Sequence, residues 1–190
     1  MSAPRDKMVL RSPEQVAALG SPVRFRIVDI LALRGASSVR EIAVGAGCSV
    51  TSLYYHIRVL EKVGILEEAA TRGTGRRMEK TYRLRAGKLV IDPKKRSVPY
   101  RRAMADSCAA LLRRAERDYR AAASATEVRL EGEERDLMIR RLVLRLDSEG
   151  LARLNRLLDR VSAHAGRRGG AGGAPVTLTI AMSRVPELDR

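Results

Sequence analysis

The chain has 190 residues, room for one domain or two modest ones, and its 45% apolar content excludes wholesale disorder. Aromatic residues make up only 3% and Trp is absent, so a core must be aliphatic; no stretch of about 18 apolar residues exists to cross a membrane. The net charge of +15 peaks between Arg72 and Arg96, where ten basic residues face only Glu79 and Asp92, a block suited to a polyanion such as nucleic acid or an anionic membrane surface.

Residues 1–11 carry mixed charge without periodicity and are expected as a loose tail. Ser12-Pro13-Glu14-Gln15 is a helix start, with a capping hydroxyl, Pro at the first helical position and Gln three residues on. Gly20 interrupts. Ser21-Pro22 opens a second helix through Val23, Ile27, Ile30 and Leu31, ending near Gly35. Ser38 with Glu41 makes a capping box for a short third helix over 39–44, and Gly45-Ala46-Gly47 reads as a tight turn.

The stretch that follows, residues 49–66, is the organising element. Leu53, Ile57 and Leu60 recur at i, i+4 and i+7 as one apolar stripe, while Thr51, Tyr55, Arg58 and Lys62 fall opposite. Ser49 can cap this helix and Gly64 can end it in a left-handed conformation. Beyond it, residues 65–68 start a strand, residues 72–76 form a Gly-rich basic turn, and Met78, Lys80, Tyr82 and Leu84 alternate as the returning strand. Helix, glycine turn and helix is the pattern of a helix-turn-helix unit, here followed directly by a basic hairpin.

Residues 12–90 resemble the winged helix-turn-helix domain of ArsR-like bacterial transcription regulators. The residues carrying the resemblance are 19–24 (LGSPVR), 38–43 (SVREIA) and 49–66, with Tyr55-His56-Ile57, Leu60 and Gly64-Ile65-Leu66 the most specific. It implies a dimeric, sequence-specific binder of double-stranded DNA, with one helix in the major groove and the hairpin along the adjacent backbone. Metal-sensing members carry Cys-x-Cys within that helix, whereas positions 49–63 contain no cysteine, so metal sensing is not implied. An excess of Arg over Lys (31 to 6) with abundant Ala fits coding in a GC-rich bacterial genome.

Past the basic linker at residues 92–96, residues 100–123 return to helix. Met104, Cys108, Leu111, Ala115 and Tyr119 recur at steps of 4, 3, 4 and 4, a near-heptad seam that suggests dimerisation; packing onto its own domain is the alternative. Residues 142–146 read as a strand, and Asp147 or Ser148 caps a helix with Leu151, Leu154, Leu157, Leu158 and Val161 on one face. A Gly-rich loop over 167–175 lacks the Lys-Ser/Thr of a phosphate-binding loop. Val176, Leu178, Ile180 and Met182 then alternate with Thr177, Thr179 and Ala181 as a half-buried strand.

The expected fold is therefore α+β. A tail (1–11) precedes a winged helix-turn-helix domain (12–92), a long linking or dimerisation helix (97–125) and a small strand–helix–strand region (126–190). DNA contacts are expected from the helix at 49–63, through Ser49, Thr51, Ser52, Tyr54, Tyr55, Arg58 and Lys62. Arg pairs bidentately with guanine, and hydroxyls suit phosphates or base edges. The wing over 67–85 adds Arg72, Arg76, Arg77 and Lys80 for phosphates, Arg76 at the tip being placed to enter a minor groove.

His56 and His164 stand beside no usable carboxylate or cysteine, so no catalytic set, metal site or cofactor is expected. Cys48 and Cys108, far apart in sequence, read as ordinary small side chains. The expectation is a cytoplasmic, nucleoid-associated homodimeric regulator and not an enzyme; a small-molecule effector, the operator and the sign of regulation stay open. The rival readings are a protein-interaction module and a nonspecific nucleoid-type DNA binder.

Overall fold

The computed structural model describes residues 5–74, 77–165 and 174–184. It divides into two units, Met1–Asp118 with Thr179–Arg190, and Tyr119–Leu178.

The first unit opens with strand β1, Arg5–Leu10, and short helix α1, Pro13–Ala18. The Ser12 hydroxyl accepts from the Gln15 amide at 3.2 Å, and the Gln15 side chain accepts from the Ser12 amide at 3.3 Å, the reciprocal cap read from the sequence. Helix α2, Pro22–Arg34, leads through Gly35 to a two-residue strand β2, Ser37–Ser38. Helix α3, Val39–Ala46, carries the same reciprocal cap between Ser38 and Glu41. It runs two residues further than expected: Gly45 lies inside it, and only Gly47, at φ +64°, makes the turn.

Helix α4, Val50–Lys62, follows with Ser49 accepting from the Ser52 amide at 3.2 Å. Gly64, at φ +75°, releases the chain into a hairpin of β3, Leu66–Thr74, and β4, Arg77–Leu84. β4 is the centre of an antiparallel sheet in the order β2-β4-β3, with an irregularity between Glu68 and Ala70. There the buried Thr81 hydroxyl donates to the Ala70 carbonyl at 2.8 Å, holding the bulged strand against its partner.

Strand β5, Ala86–Ile91, pairs with β1 in parallel, Arg5 opposite Ala86 and Leu10 opposite Ile91. The expected tail is thus a strand. Its sequence hides this because, among its described side chains, only Leu10 is fully buried and the exposed ones, Asp6 and Lys7, are charged.

The long helix α5, Val98–Ala123, runs across the boundary between the units. Its face of Tyr100, Ala103, Ser107 and Ala110 is buried. The Tyr100 hydroxyl donates to the Leu10 carbonyl at 2.6 Å and accepts from the Asp92 amide at 2.9 Å. Ser107 donates to the Val16 carbonyl at 2.6 Å, and alanines at 103 and 110 leave room for close approach. The start of this helix therefore packs on its own domain, so the unit is wider at both ends than residues 12–92.

One core joins these elements: Leu10, Val16, Ile27, Ile42, Leu53, Ile57, Leu60, Ile65, Leu66 and Tyr100 are all at most 1% exposed. At roughly 1.5–3 kcal/mol for each large apolar side chain buried, this cluster dominates the stability of the unit.

In the second unit, helix α6, Ser148–Ala165, forms where expected, with the Asp147 carboxylate accepting from the Gly150 amide at 2.7 Å. The strands expected on either side do not form. Among the described residues, neither 142–146 nor 176–182, the last four of which fall with the first unit, belongs to a sheet.

Candidate nucleic-acid interface

The burial of α4 separates its two faces. Leu53, Ile57 and Leu60 are sealed against α1, α2, α3 and β3, whereas Thr51, Ser52, Tyr54, Tyr55, Arg58, Glu61 and Lys62 are exposed, Tyr55 at 63%. Ser49 is exposed too, although its hydroxyl oxygen already serves as the cap. The helix thus presents hydroxyls, two phenols and two cations along its length, and α3 holds it in place across the Gly47 turn.

Around that turn, Arg40, Ala43, Val44, Gly47, Cys48, Ser49 and Val50 line an open cleft. Val44, 82% exposed, and Val50 put methyl groups at the start of α4, beside the residues read from the sequence. Periodicity alone does not find Val44, since an exposed valine looks like a core residue in a hydropathy pattern.

Two arginines of α2 brace this arrangement, and no side-chain periodicity points to their backbone partners. Arg26 donates to the Gly45 carbonyl at 2.9 Å, tying α2 to the end of α3. Arg24 donates to the carbonyls of Ala17 and Ala18 at the end of α1. Burial, and secondarily the Arg24 charge, holds the His56 imidazole below its ordinary value and so favours the neutral ring. Its Nδ1 is buried without a hydrogen-bond partner, and its ring meets Tyr55 edge-on with centroids 5.3 Å apart. His56 is a packed side chain on the flank of α4.

On the hairpin, cations are partly engaged. Lys80 bonds the Glu68 carboxylate at 2.8 Å, Arg83 and Arg85 converge on Glu67 at 2.7 and 3.2 Å, and Arg40 lies 3.9 Å from Glu79. Exposed pairs such as Lys80–Glu68 and Arg40–Glu79 contribute at most about 1 kcal/mol each. The side chains of Arg72 and Arg77, and all of Arg76, lie outside the described residues.

On α5, Met104 and Cys108 are exposed, and Leu111, Ala115 and Tyr119 half-buried, on a face adjacent to the one that packs inward. Deeper along the helix, Arg114 pairs with Asp118, and both act on Asp29 of α2. Burial raises the Asp29 carboxyl above its ordinary range; Arg114 opposes this, Asp118 adds to it and Arg26 opposes it. Among the described residues no three His, Cys, Asp or Glu are grouped to hold a metal, and no helix is long and apolar enough to cross a membrane.

A family of helix-turn-helix domains matches residues 19–69, from the end of α1 into β3. With the hairpin that follows, this part of the chain is a winged helix-turn-helix fold, and the match supports a DNA-binding regulatory protein. No curated protein sequence matches the chain. Among solved structures it is similar to the homodimeric winged helix-turn-helix DNA-binding domain of a possible ArsR-family regulator from Mycobacterium bovis. That likeness has 20% identity, a TM-score of 0.30, and coverage of 60% of this chain and 88% of the other. It is also similar to a MarR family regulator from Neisseria meningitidis, at 15% identity, TM-score 0.29, and 75% and 74% coverage. A third is a Mycobacterium tuberculosis MarR family protein solved with salicylic acid, at 19%, 0.29, and 78% and 85%. With scores below 0.5, none of these likenesses says what this chain binds.

Proposed function

We propose that the protein is a sequence-specific, ArsR-like transcriptional regulator that binds double-stranded DNA as a homodimer. In this reading α4 enters the major groove and the basic hairpin lies along the neighbouring backbone. One observation carries it: every polar residue of α4 read as a base or phosphate contact is exposed on the face opposite the sealed Leu53–Ile57–Leu60 stripe. Arg58 is the base reader by its bidentate donor geometry, while Thr51, Ser52, Tyr54 and Tyr55 offer hydroxyls to phosphates and base edges. Arg72, Arg76, Arg77 and Lys80 supply sequence-independent affinity, Lys80 by exchanging Glu68 for phosphate. The half-exposed seam of Met104, Cys108, Leu111, Ala115 and Tyr119 brings two copies together, so half-sites fall about 34 Å apart or a multiple of that.

Selection of bound sequences from a random duplex pool tests this reading. An enriched near-palindrome is expected, and Arg58→Ala then costs about 1–3 kcal/mol and relaxes one base position. Discrimination between the selected site and random duplex that survives Arg58→Ala unchanged removes α4 from the groove. Binding that is absent even at low salt favours a protein-interaction module.

A further inference from the structure

We infer that the C-terminal region is completed by a second copy of the chain: the segment at residues 176–182 of one copy pairs with residues 142–146 of the other, over the apolar face of α6. Both segments have the period-2 pattern of half-buried strands, yet neither belongs to a sheet among the described residues. Leu142, Leu144 and Leu146 share one side, as do Val176, Leu178, Ile180 and Met182. Helix α6 adds a third unfinished surface, with Leu151, Leu157 and Val161 exposed and Leu154 and Leu158 half-buried. A helix stripe and two one-sided strands are the parts of a two-layer core.

The amount of surface argues for an interface. Ten large apolar side chains on these three surfaces, from Leu142 to Met182, are 37–74% exposed. Covering them removes on the order of 1,000 Å² of apolar surface. That exceeds the few hundred Å² a soluble monomer usually shows and reaches the roughly 800 Å² per partner of a stable complex.

Charge at the paired strands does not oppose this occupant. The stretch at 176–182 has no charged residue, whereas its counterpart carries Arg145 beside Val143 on the side away from the leucines. Pairing the two sets Arg145 against Thr177, Thr179 or Ala181, with no like charge opposite. An uncharged, unpaired edge of this length is otherwise a template for indiscriminate association. Two copies at +15 each repel at long range, so the contact that joins them must be apolar, as this one is. The exchange is reciprocal and closes as a twofold dimer, which adds a second contact to the homodimer of the preceding section.

The test uses the full chain with Cys48→Ser and Cys108→Ser. Val143→Cys and Thr179→Cys chains, distinguished by mass tags, are mixed at micromolar concentration and joined with a short bismaleimide. A product joining the two masses is expected. Ile180→Asp should lower its yield at least tenfold, with the circular dichroism of the helices unchanged. Leu111→Asp, which tests the seam on α5, should leave the cross-link in place. The inference is overturned if mixing yields no such product, or if a chain carrying both cysteines joins them internally at a yield independent of dilution. It is equally overturned if Leu111→Asp abolishes the product while Ile180→Asp spares it.

Discussion

The two ends of the chain use the same vocabulary with opposite results. In the first unit the apolar stripes of α3 and α4 legible in the sequence are buried, Val39, Ile42 and Ala43 on one and Leu53, Ile57 and Leu60 on the other. In the region around α6 the stripes are as regular, and they face solvent. Periodicity reports which side of an element needs cover; it carries no information on whether that cover is in the same molecule.

The comparison can be broken most directly by matched truncations. Ile57→Ala, in the sealed core, is expected to cost about 2–5 kcal/mol of stability. Leu142→Ala should leave hydrogen exchange at the α4 amides within about 0.5 kcal/mol of the parent. Equal losses at both positions would mean that the two regions fold as one. A smaller effect, of about 1–3 kcal/mol, is expected for Tyr100→Phe, which strips the Leu10 carbonyl and Asp92 amide of a buried partner. Denaturant unfolding reads it, and a neutral result would detach α5 from the first unit.

The smallest effect is a pH dependence. In the unfolded chain His56 takes up a proton near its ordinary value of 6.5, whereas burial and Arg24 resist that proton in the fold. Stability from this group is complete above that value and falls as acid is added through it. His56→Gln should flatten the loss measured by thermal unfolding between about pH 7 and pH 5.

What was legible in the sequence is what is local. Ser12 with Gln15, Ser38 with Glu41, and Ser49 cap helices within three residues, and Gly47 and Gly64 turn the chain where an L side chain would strain. The outward face of α4 followed from three apolar residues. What escaped is what depends on distant partners. β1 is a strand because β5 lies beside it, and Tyr100 and Ser107 are buried because carbonyls some ninety residues earlier receive their hydroxyls. The arginines bracing the turn, Arg24 and Arg26, likewise aim at backbone oxygens that no side-chain pattern announces.

The parallel clasp of β1 and β5 has a consequence for the order in which the protein is made. Arg5 meets Ala86, and Leu10 receives the hydroxyl of Tyr100, so β1 has no partner until β5 and the start of α5 have been translated. Closing so long a loop is entropically costly and slows folding. The helix pair and hairpin can assemble while the chain is still growing, since their contacts are short-range. The clasp closes only once the start of α5 has left the ribosome and the Tyr100 hydroxyl reaches Leu10 on β1.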